Sequence, residues 1–230
     1  MKKELVIQSI INRIQARTYL EIGVQRGKNF LQIDAPLKIA VDPHFKIGMA
    51  RRFFRLGSYL KSNFFEMTSD SFFEAKADTV LKEKRIDVAF IDGLHTYHQS
   101  LKDFYNCFKY ISDGGVILLH DCNPTTREAA SFAFSPEEMQ KKFPGKNAEW
   151  NGDVWKTIVH LRSLHPELNV LVLDCDYGLA IVNKGKLEDP LHFSEQEIEN
   201  LTYDDLEKNR ARFLNLKPVE YFQEFILSLK

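Results

Sequence analysis

Two clusters of acids and histidines follow two apolar runs of the sequence. The first cluster contains Asp92 and His95, and the second contains His120 and Asp121, each directly after an unbroken apolar stretch. Such stretches are typical of strands that are covered on both faces of a parallel sheet. The carboxyl ends of parallel strands lie side by side, and open α/β folds bind their ligands there. We therefore expect the two clusters to form one site.

These residue types indicate chemistry on a hydroxyl group. Asp92 and Asp121 could hold one hard cation, because Mg²⁺ takes one or two carboxylates and leaves its other positions to water or substrate. Such a cation lowers the pKa of a bound hydroxyl. His95 could then accept the proton, because imidazole titrates near neutral pH. The structural alternatives are that the two acids cap loops and that His95 only bonds its own loop.

The segment between the two clusters has the pattern of a helix. Apolar and aromatic residues recur there at helical spacing, at Tyr97, Leu101, Phe104, Tyr105, Phe108 and Ile111. Gly114 and Gly115 follow, where a helix C-cap is expected. The whole stretch predicts a strand, a crossover helix and a second parallel strand.

An earlier stretch predicts a nucleoside site. A helix over about residues 3–16 precedes the predicted strand 18–22, which runs into a loop with Gly23 and Gly27 and then a second helix. The next strand ends in Asp42, where a carboxylate can bind a ribose. The loop has neither the GxGxxG pattern nor the lysine and Ser/Thr pair of a phosphate-binding loop. A nucleoside without a pyrophosphate is therefore the better prediction.

This stretch resembles a known family. The motif from Glu21 through Gly23 to Gly27 is similar to the first motif of class I S-adenosylmethionine-dependent methyltransferases, and Asp42 matches their ribose-binding acid. The resemblance implies a Rossmann-like α/β fold, with a mainly parallel seven-stranded sheet, an antiparallel last strand and helices on both faces. It also implies S-adenosylmethionine as cofactor, with Glu21 toward its amino group and the glycines beside its methionyl part.

Three further cofactor contacts follow from the same resemblance. Ser69 and Asp70 come after the predicted third strand, whose end lies near the adenine in this family. The alternative is that one of them is an ordinary helix N-cap. Asp92, after the fourth strand, is the third residue on the cofactor side.

The pairing of Asp92 and His95 with His120 and Asp121 is similar to a narrower group. This group comprises metal-dependent sugar O-methyltransferases of the macrocin and mycinamicin type and the related cephalosporin hydroxylase-like proteins. The resemblance implies that Asp92 and Asp121 bind magnesium and that His95 is the base. His120 replaces an acid of that pattern, and imidazole suits manganese, iron or zinc better than magnesium. Three alternatives stay open: another metal bound with His120, a metal bound with Asn123, or no metal.

The predicted function is transfer of a methyl group from S-adenosylmethionine to a hydroxyl of a small molecule, sugar-like or phenolic. One alternative is a hydroxylase-like metal enzyme on the same scaffold. The other is a cofactor-binding or interaction domain without catalytic activity.

The composition sets the remaining expectations. A chain of 230 residues with a formal net charge of −1 predicts a single domain, residues 1–230, without a nucleic-acid or membrane partner. The three cysteines form no CxxC pair, which favours a reducing, cytoplasmic compartment. The apolar residues near the N-terminus are interrupted by polar ones, which does not fit a secretory signal.

Three peripheral segments have separate interpretations. A lid or insertion is expected over about residues 124–153, since long irregular segments near strand ends are often functional. The tail over residues 194–230 predicts two helices, whose apolar residues serve packing or a homodimer contact. The basic and aromatic segment 46–61 is either a solvated helix face or a surface for anionic or aromatic groups.

Overall fold

The computed structural model of the chain describes residues 1–144 and 150–229. It divides into two compact units. Unit 1 comprises Met1–Gly93, Asp103–Leu118 and Phe225–Lys230, and unit 2 comprises Leu94–Lys102 and Leu119–Glu224. The single-domain organisation stays a prediction.

Unit 1 carries the predicted parallel strands. They are β1 (Thr18–Ile22), β2 (Leu37–Asp42), β3 (Ser62–Glu66), β4 (Ile86–Ile91) and β5 (Ile111–Leu119). Their order in the sheet is β3-β2-β1-β4-β5. Strand β1 pairs in parallel with both β2 and β4, and β2 pairs in parallel with β3. Strand β1 is buried along its whole length, as a strand covered on both faces must be. These strands confirm the mainly parallel α/β prediction.

Helices accompany these strands, and most of them are short. They are α1 (Lys3–Ile14), α2 (Met49–Phe54), α3 (Leu56–Leu60), α4 (Ser69–Ala75), α5 (Ala77–Leu81) and α6 (Tyr97–Tyr110). Helix α1 buries Val6, Ile7, Ile10 and Ile11 on one face. It ends at Gln15, which adopts a left-handed conformation, so α1 falls within the predicted range 3–16.

The glycine loop is not followed by a helix, contrary to the prediction. Residues 23–36 form turns and open loop between β1 and β2. Their backbone bonds include those from Gly27 N to Val24 O at 2.8 Å and from Gln32 N to Asn29 O at 2.9 Å. Both bonds span three residues, which is the pattern of turns. The side chain of Asn29 is also used in buried bonds to Tyr19 and Glu21, and such side chains compete with helical bonding.

The assignment of Gly114 and Gly115 to a helix C-cap was wrong as well. Helix α6 ends at Tyr110, and the chain enters β5 at Ile111, so both glycines lie inside the strand. Gly114 has φ +86°, and a Cβ on Gly115 would come within 2.7 Å of the Ile111 side chain. The positive φ therefore favours glycine at position 114, and the close contact with Ile111 favours it at position 115.

Unit 2 contains β6 (Leu168–Leu173), β7 (Leu179–Lys184) and β8 (Leu216–Lys217), in the order β7-β6-β8. Strands β6 and β7 form an antiparallel hairpin, as predicted. Strand β8 pairs in parallel with β6, so the described residues form eight strands, one more than the predicted seven. A two-residue strand has no alternating pattern that sequence reasoning could detect.

The helices of the second half are α7 (Pro136–Lys142), α8 (Trp155–Leu164), α9 (Glu195–Asn200), α10 (Tyr203–Leu214) and α11 (Tyr221–Ser228). The tail thus carries three helices, whereas two were predicted. Ser194 and Glu197 form a capping box at the start of α9. Phe222 and Phe225 are buried within the chain, which favours packing, and a homodimer contact of the tail stays a prediction.

Two further expectations concern the periphery. The predicted insertion 124–153 contains α7, and its residues 145–149 lie outside the part of the chain that the structure describes. Across the described residues, every helix is too short or too polar to cross a membrane.

Candidate active site

The glycine loop is held tightly against the neighbouring strand end. Gly23 directly follows β1 and has φ +88°, and a Cβ at this position would lie 1.9 Å from the carbonyl oxygen of Asp92. No other residue fits such a contact. Gly27 has φ +63°, which also favours glycine. Both predicted glycines therefore occupy positions that require them, and the first brings the loop to the end of β4.

Asp42 anchors the same loop from the end of β2. Its Oδ2 accepts a hydrogen bond from Gln25 N at 2.7 Å, and its Oδ1 accepts one from His44 N at 2.7 Å. The side chain is almost fully buried. A carboxylate oxygen has two lone pairs, so each can still accept a bond from a ligand hydroxyl. The contact with a ribose stays a prediction. In the structure, Asp42 holds the loop in place through these two backbone bonds.

Glu21 lies in a buried polar cluster beside the loop. Its carboxylate accepts hydrogen bonds from the hydroxyl of Tyr19 and from Asn29 Nδ2, the latter at 2.7 Å. Burial raises the pKa of Glu21 to about 7, although the bonds from Tyr19 and Asn29 and the charge of Lys3 oppose this rise. A buried carboxyl with such a pKa changes its charge near neutral pH.

The carboxyl of Glu21 lies beside a cavity next to the glycine loop. That cavity measures about 240 Å³ and is lined by Lys3, Glu21, Gly23, Asn29 and Asp92, among others. Lys3 Nζ lies 3.0 Å from Asp92 Oδ2. Among the described residues, Asn29 Oδ1 is a buried acceptor without a hydrogen-bond partner. Buried acceptors normally have a donor, so this atom indicates a ligand that supplies one.

Ser69 and Asp70 occupy the first turn of α4, after β3. The N-cap is Thr68, whose Oγ1 accepts a hydrogen bond from Ser71 N at 3.2 Å. The capping role proposed for Ser69 or Asp70 therefore belongs to Thr68. Their contact with a cofactor stays a prediction.

The histidine and acid of unit 2 come together as predicted. His95 Nε2 lies 3.4 Å from Asp121 Oδ2, and His95 Nδ1 lies 2.7 Å from the carbonyl oxygen of Trp150. A carbonyl oxygen only accepts hydrogen bonds, so Nδ1 must carry a proton. In a neutral ring, Nε2 then presents its lone pair to a carboxylate oxygen. A proton taken up by Nε2 would lie beside this carboxylate, which stabilises the charged ring.

Asp121 is the centre of this cluster. Its Oδ1 accepts a hydrogen bond from Asn151 Nδ2 at 2.6 Å, and its Oδ2 lies 2.9 Å from His120 Nδ1. The backbone of Asp121 has φ +62°, which is uncommon for a residue other than glycine. Residues held in such conformations tend to occur at functional sites.

His120 lies between two acids. Its Nδ1 faces Asp121, and its Nε2 lies 3.8 Å from Asp176 Oδ1. Asp176, in the turn between β6 and β7, was not predicted, because nothing in a hairpin turn signals a distant partner. Asn123 is oriented elsewhere: its Oδ1 accepts a bond from Arg210 Nη1 at 2.5 Å, and its Nδ2 donates to Asp174 at 3.1 Å. This orientation argues against Asn123 as a metal ligand.

Residues 150–153 contact His95, Asp121 and the neighbouring Tyr97. The Trp150 carbonyl holds His95, the Asn151 amide holds Asp121, and Asp153 Oδ1 accepts a bond from Tyr97 N at 2.7 Å. A Cβ on Gly152, which has φ +64°, would lie 1.7 Å from the His95 carbonyl oxygen. We call residues 150–153 the WNGD segment. Sequence reasoning placed this segment in an insertion and missed its role, although clustered polar residues and glycine were a signal.

The sequence matches a family model described as a methyltransferase domain over residues 20–122. This range holds the predicted site residues from Glu21 through Asp121. The comparison with curated proteins finds no match.

Several solved structures share the fold. An O-methyltransferase from Bacillus cereus in complex with SAH aligns with a TM-score of 0.55 at 14% identity, covering 80% of this chain and 82% of that one. A putative O-methyltransferase from Klebsiella pneumoniae gives 0.56 at 13% identity, with 80% and 81% covered. The O-methyltransferase TomG from Streptomyces achromogenes, in complex with SAM, gives 0.52 at 14% identity, with 79% and 78% covered. Residues 20–122 thus resemble a methyltransferase domain, and the chain has the fold of class I S-adenosylmethionine-dependent methyltransferases.

Proposed function

We propose that this protein transfers the methyl group of S-adenosylmethionine to a hydroxyl oxygen of a small-molecule acceptor, with His95 as the general base. The observation that carries the proposal is the pair of His95 Nε2 and Asp121 Oδ2 at 3.4 Å, with His95 Nδ1 bonded to a carbonyl. This arrangement fixes which ring nitrogen can take a proton. The acceptor is sugar-like or phenolic, as the sequence resemblance implies.

The residues of unit 1 suit the methionyl part of the cofactor. The unpartnered Asn29 Oδ1 and the carboxyl of Glu21 line the cavity beside Gly23, and both can accept hydrogen bonds from an ammonium group. Gly23 lets the loop backbone approach without a side chain in the way. When bound there, S-adenosylmethionine supplies an electrophilic methyl group on a sulfonium.

His95 and Asp121 suit the acceptor. As the methyl–sulfur bond of the cofactor breaks and the acceptor oxygen takes up the methyl group, the proton of the acceptor hydroxyl would pass to His95 Nε2. The ring then carries a positive charge, which the carboxylate of Asp121 stabilises at close range. The Trp150 carbonyl keeps Nδ1 protonated throughout, so Nε2 is always the accepting atom. Most of the remaining rate enhancement in such a transfer comes from positioning.

A divalent metal would be held by the carboxylate of Asp121, together with Asp92 and His120, as the sequence predicts. His95 is not one of these ligands, because its Nε2 has to accept the proton. A set of imidazole and carboxylate ligands suits manganese, iron or zinc better than magnesium. Asn151, which donates to Asp121 Oδ1, would orient that carboxylate.

We propose a reducing, cytoplasmic compartment for the protein. Its three cysteines form no disulfide in the described residues, and two of them, Cys107 and Cys122, are buried. Buried free thiols persist where disulfides do not form.

Calorimetric titration with S-adenosylmethionine and with its demethylated product tests the cofactor half of the proposal. We expect both to bind the wild type, and the His95→Gln variant to bind them equally well, because His95 serves the acceptor. The Asn29→Leu variant should bind them more weakly. Absence of binding to the wild type would rule out the proposed function.

A further inference from the structure

The segment from Met49 to Lys61 exposes an unusual amount of apolar surface. Helices α2 and α3 have no buried residue at all. In α2, Met49 and Phe53 are 86% and 74% exposed, and in α3, Leu56 and Leu60 are 48% and 71% exposed. Residues four apart lie on one side of a helix, so each helix presents an apolar pair to the solvent. A helix of a soluble protein normally buries that side.

Cationic side chains surround these apolar pairs. Between Asp42 and Glu66 the sequence contains no acid, and it carries five cations, at Lys46, Arg51, Arg52, Arg55 and Lys61. This local charge contrasts with the net charge of −1 for the whole chain. We call residues 46–61 the basic–apolar face.

Part of the basic–apolar face forms a cleft. It measures about 490 Å³ and is lined by Arg26, Lys46, Arg51, Arg55 and Phe54, among others, and by no acid. The Arg51 guanidinium donates to the carbonyl of Arg26 at 2.9 Å, which holds it at the cleft. A cleft of this composition suits an anionic group such as a phosphate.

The combination of charges and apolar groups restricts the partner. A second copy of the chain docked symmetrically here would bring two like-charged faces together, which is unfavourable. Single-stranded nucleic acid stacks on aromatic rings, but three of the five exposed apolar residues of this face, Met49, Leu56 and Leu60, are aliphatic. A free inorganic anion would gain nothing from apolar side chains.

We propose that the basic–apolar face binds the surface of an anionic phospholipid membrane. Cationic residues attract the negative headgroups, and exposed apolar side chains enter the boundary between headgroups and acyl chains. The phosphates of the headgroups are the anions that fit the cleft. The expectation of no membrane partner, which rested on net charge, is revised by this local arrangement. The proposal is independent of the methyl-transfer proposal.

Co-sedimentation of the full chain with lipid vesicles tests the proposal. The vesicles contain phosphatidylcholine alone or mixed with phosphatidylglycerol. We expect binding to the mixed vesicles only, and release at high salt, because screening weakens exposed charges. Binding to both vesicle types alike, or to neither, would overturn the proposal.

Two pairs of variants sharpen the test. Arg55→Glu with Lys61→Glu should weaken partitioning by at least about 25-fold, since each cation near such a surface contributes about fivefold. The matched control reverses two exposed lysines elsewhere, Lys82→Glu with Lys186→Glu. We expect the control to weaken vesicle partitioning far less. Equal losses in the two double variants would show that vesicle binding follows the overall charge of the protein and would overturn the proposal.

Two exposed phenylalanines of the basic–apolar face are tested in the same way. Phe53→Ser with Phe54→Ser should reduce vesicle binding, whereas Phe134→Ser with Leu227→Ser, two exposed apolar residues elsewhere, should not. Sedimentation velocity without lipid is the second measurement. If the phenylalanine variant changes the oligomeric state and leaves vesicle binding unchanged, the face is a contact between copies and the proposal is wrong.

Discussion

The charge of Glu21 leads to a prediction about stability and pH. Glu21 is buried, and burial raises the pKa of its carboxyl from the ordinary 4.5 to about 7 in the folded protein. Replacing Glu21 with Gln removes this ionisable group and keeps an oxygen that can accept bonds from Tyr19 and Asn29. The change therefore isolates the effect of the charge.

The raised pKa means that the folded state binds the proton more tightly than the unfolded state. The contribution of Glu21 to stability is therefore favourable at low pH and is lost as the pH rises from about 4.5 to about 7. At 1.36 kcal/mol per pKa unit, the shift from 4.5 to about 7 amounts to about 3 kcal/mol. Above pH 7, the wild type carries this penalty in full and the Glu21→Gln variant does not.

Urea unfolding measured between pH 4.5 and 8 tests this reasoning. We expect the free energy of unfolding of Glu21→Gln to gain up to about 3 kcal/mol over the wild type as the pH rises. Glu74→Gln, at an exposed position, is the matched control and should leave the difference flat. A Glu21→Gln curve parallel to that of the wild type would refute the account of Glu21 as a buried carboxyl with a raised pKa.

Three further predictions concern the glycine loop and the WNGD segment. Gly152→Ala should destabilise the protein by about 1–3 kcal/mol in urea unfolding from backbone strain alone. The cause is that Gly152 has φ +64° and a Cβ would meet the His95 carbonyl. An unchanged urea midpoint would contradict this close contact between Gly152 and His95. Asn151→Leu leaves the buried Asp121 Oδ1 without its donor and should lower the methyl-transfer rate without altering cofactor affinity in calorimetry. Asp42→Asn replaces one acceptor oxygen with a donor, so it should cost about 1–3 kcal/mol and weaken cofactor binding; unaltered binding would exclude Asp42 from loop positioning.

The glycine loop and the strand ends could be predicted because their signals are local. An apolar run that ends in Asp92 or Asp121 identifies both a strand and its polar terminus. The positive φ of Gly23 and its contact with the Asp92 carbonyl explain why the motif has a glycine at this position. The pairing of His95 with Asp121 followed from the rule that parallel strands end side by side.

The rest depends on contacts between distant residues, which leave no local pattern. The Trp150 carbonyl selects the tautomer of His95 across 55 positions. Every residue has a backbone carbonyl, so the sequence does not indicate which one a histidine will contact. Lys3 pairs with Asp92 across 89 positions. Gly114 and Gly115 fit a helix end and a strand interior equally well by pattern, and only the packing of Gly115 against Ile111 distinguishes the two.

The most direct test of the central claim is a methyl-transfer assay with methyl-labelled S-adenosylmethionine and a panel of sugars and phenols. The account predicts that the wild type labels at least one acceptor, with a mass gain of one methylene unit. It predicts that His95→Gln loses about 10²–10⁴-fold in rate, as expected for a general base, while its cofactor affinity stays unchanged. A His95→Gln variant that binds the cofactor and transfers the methyl group as fast as the wild type would contradict it.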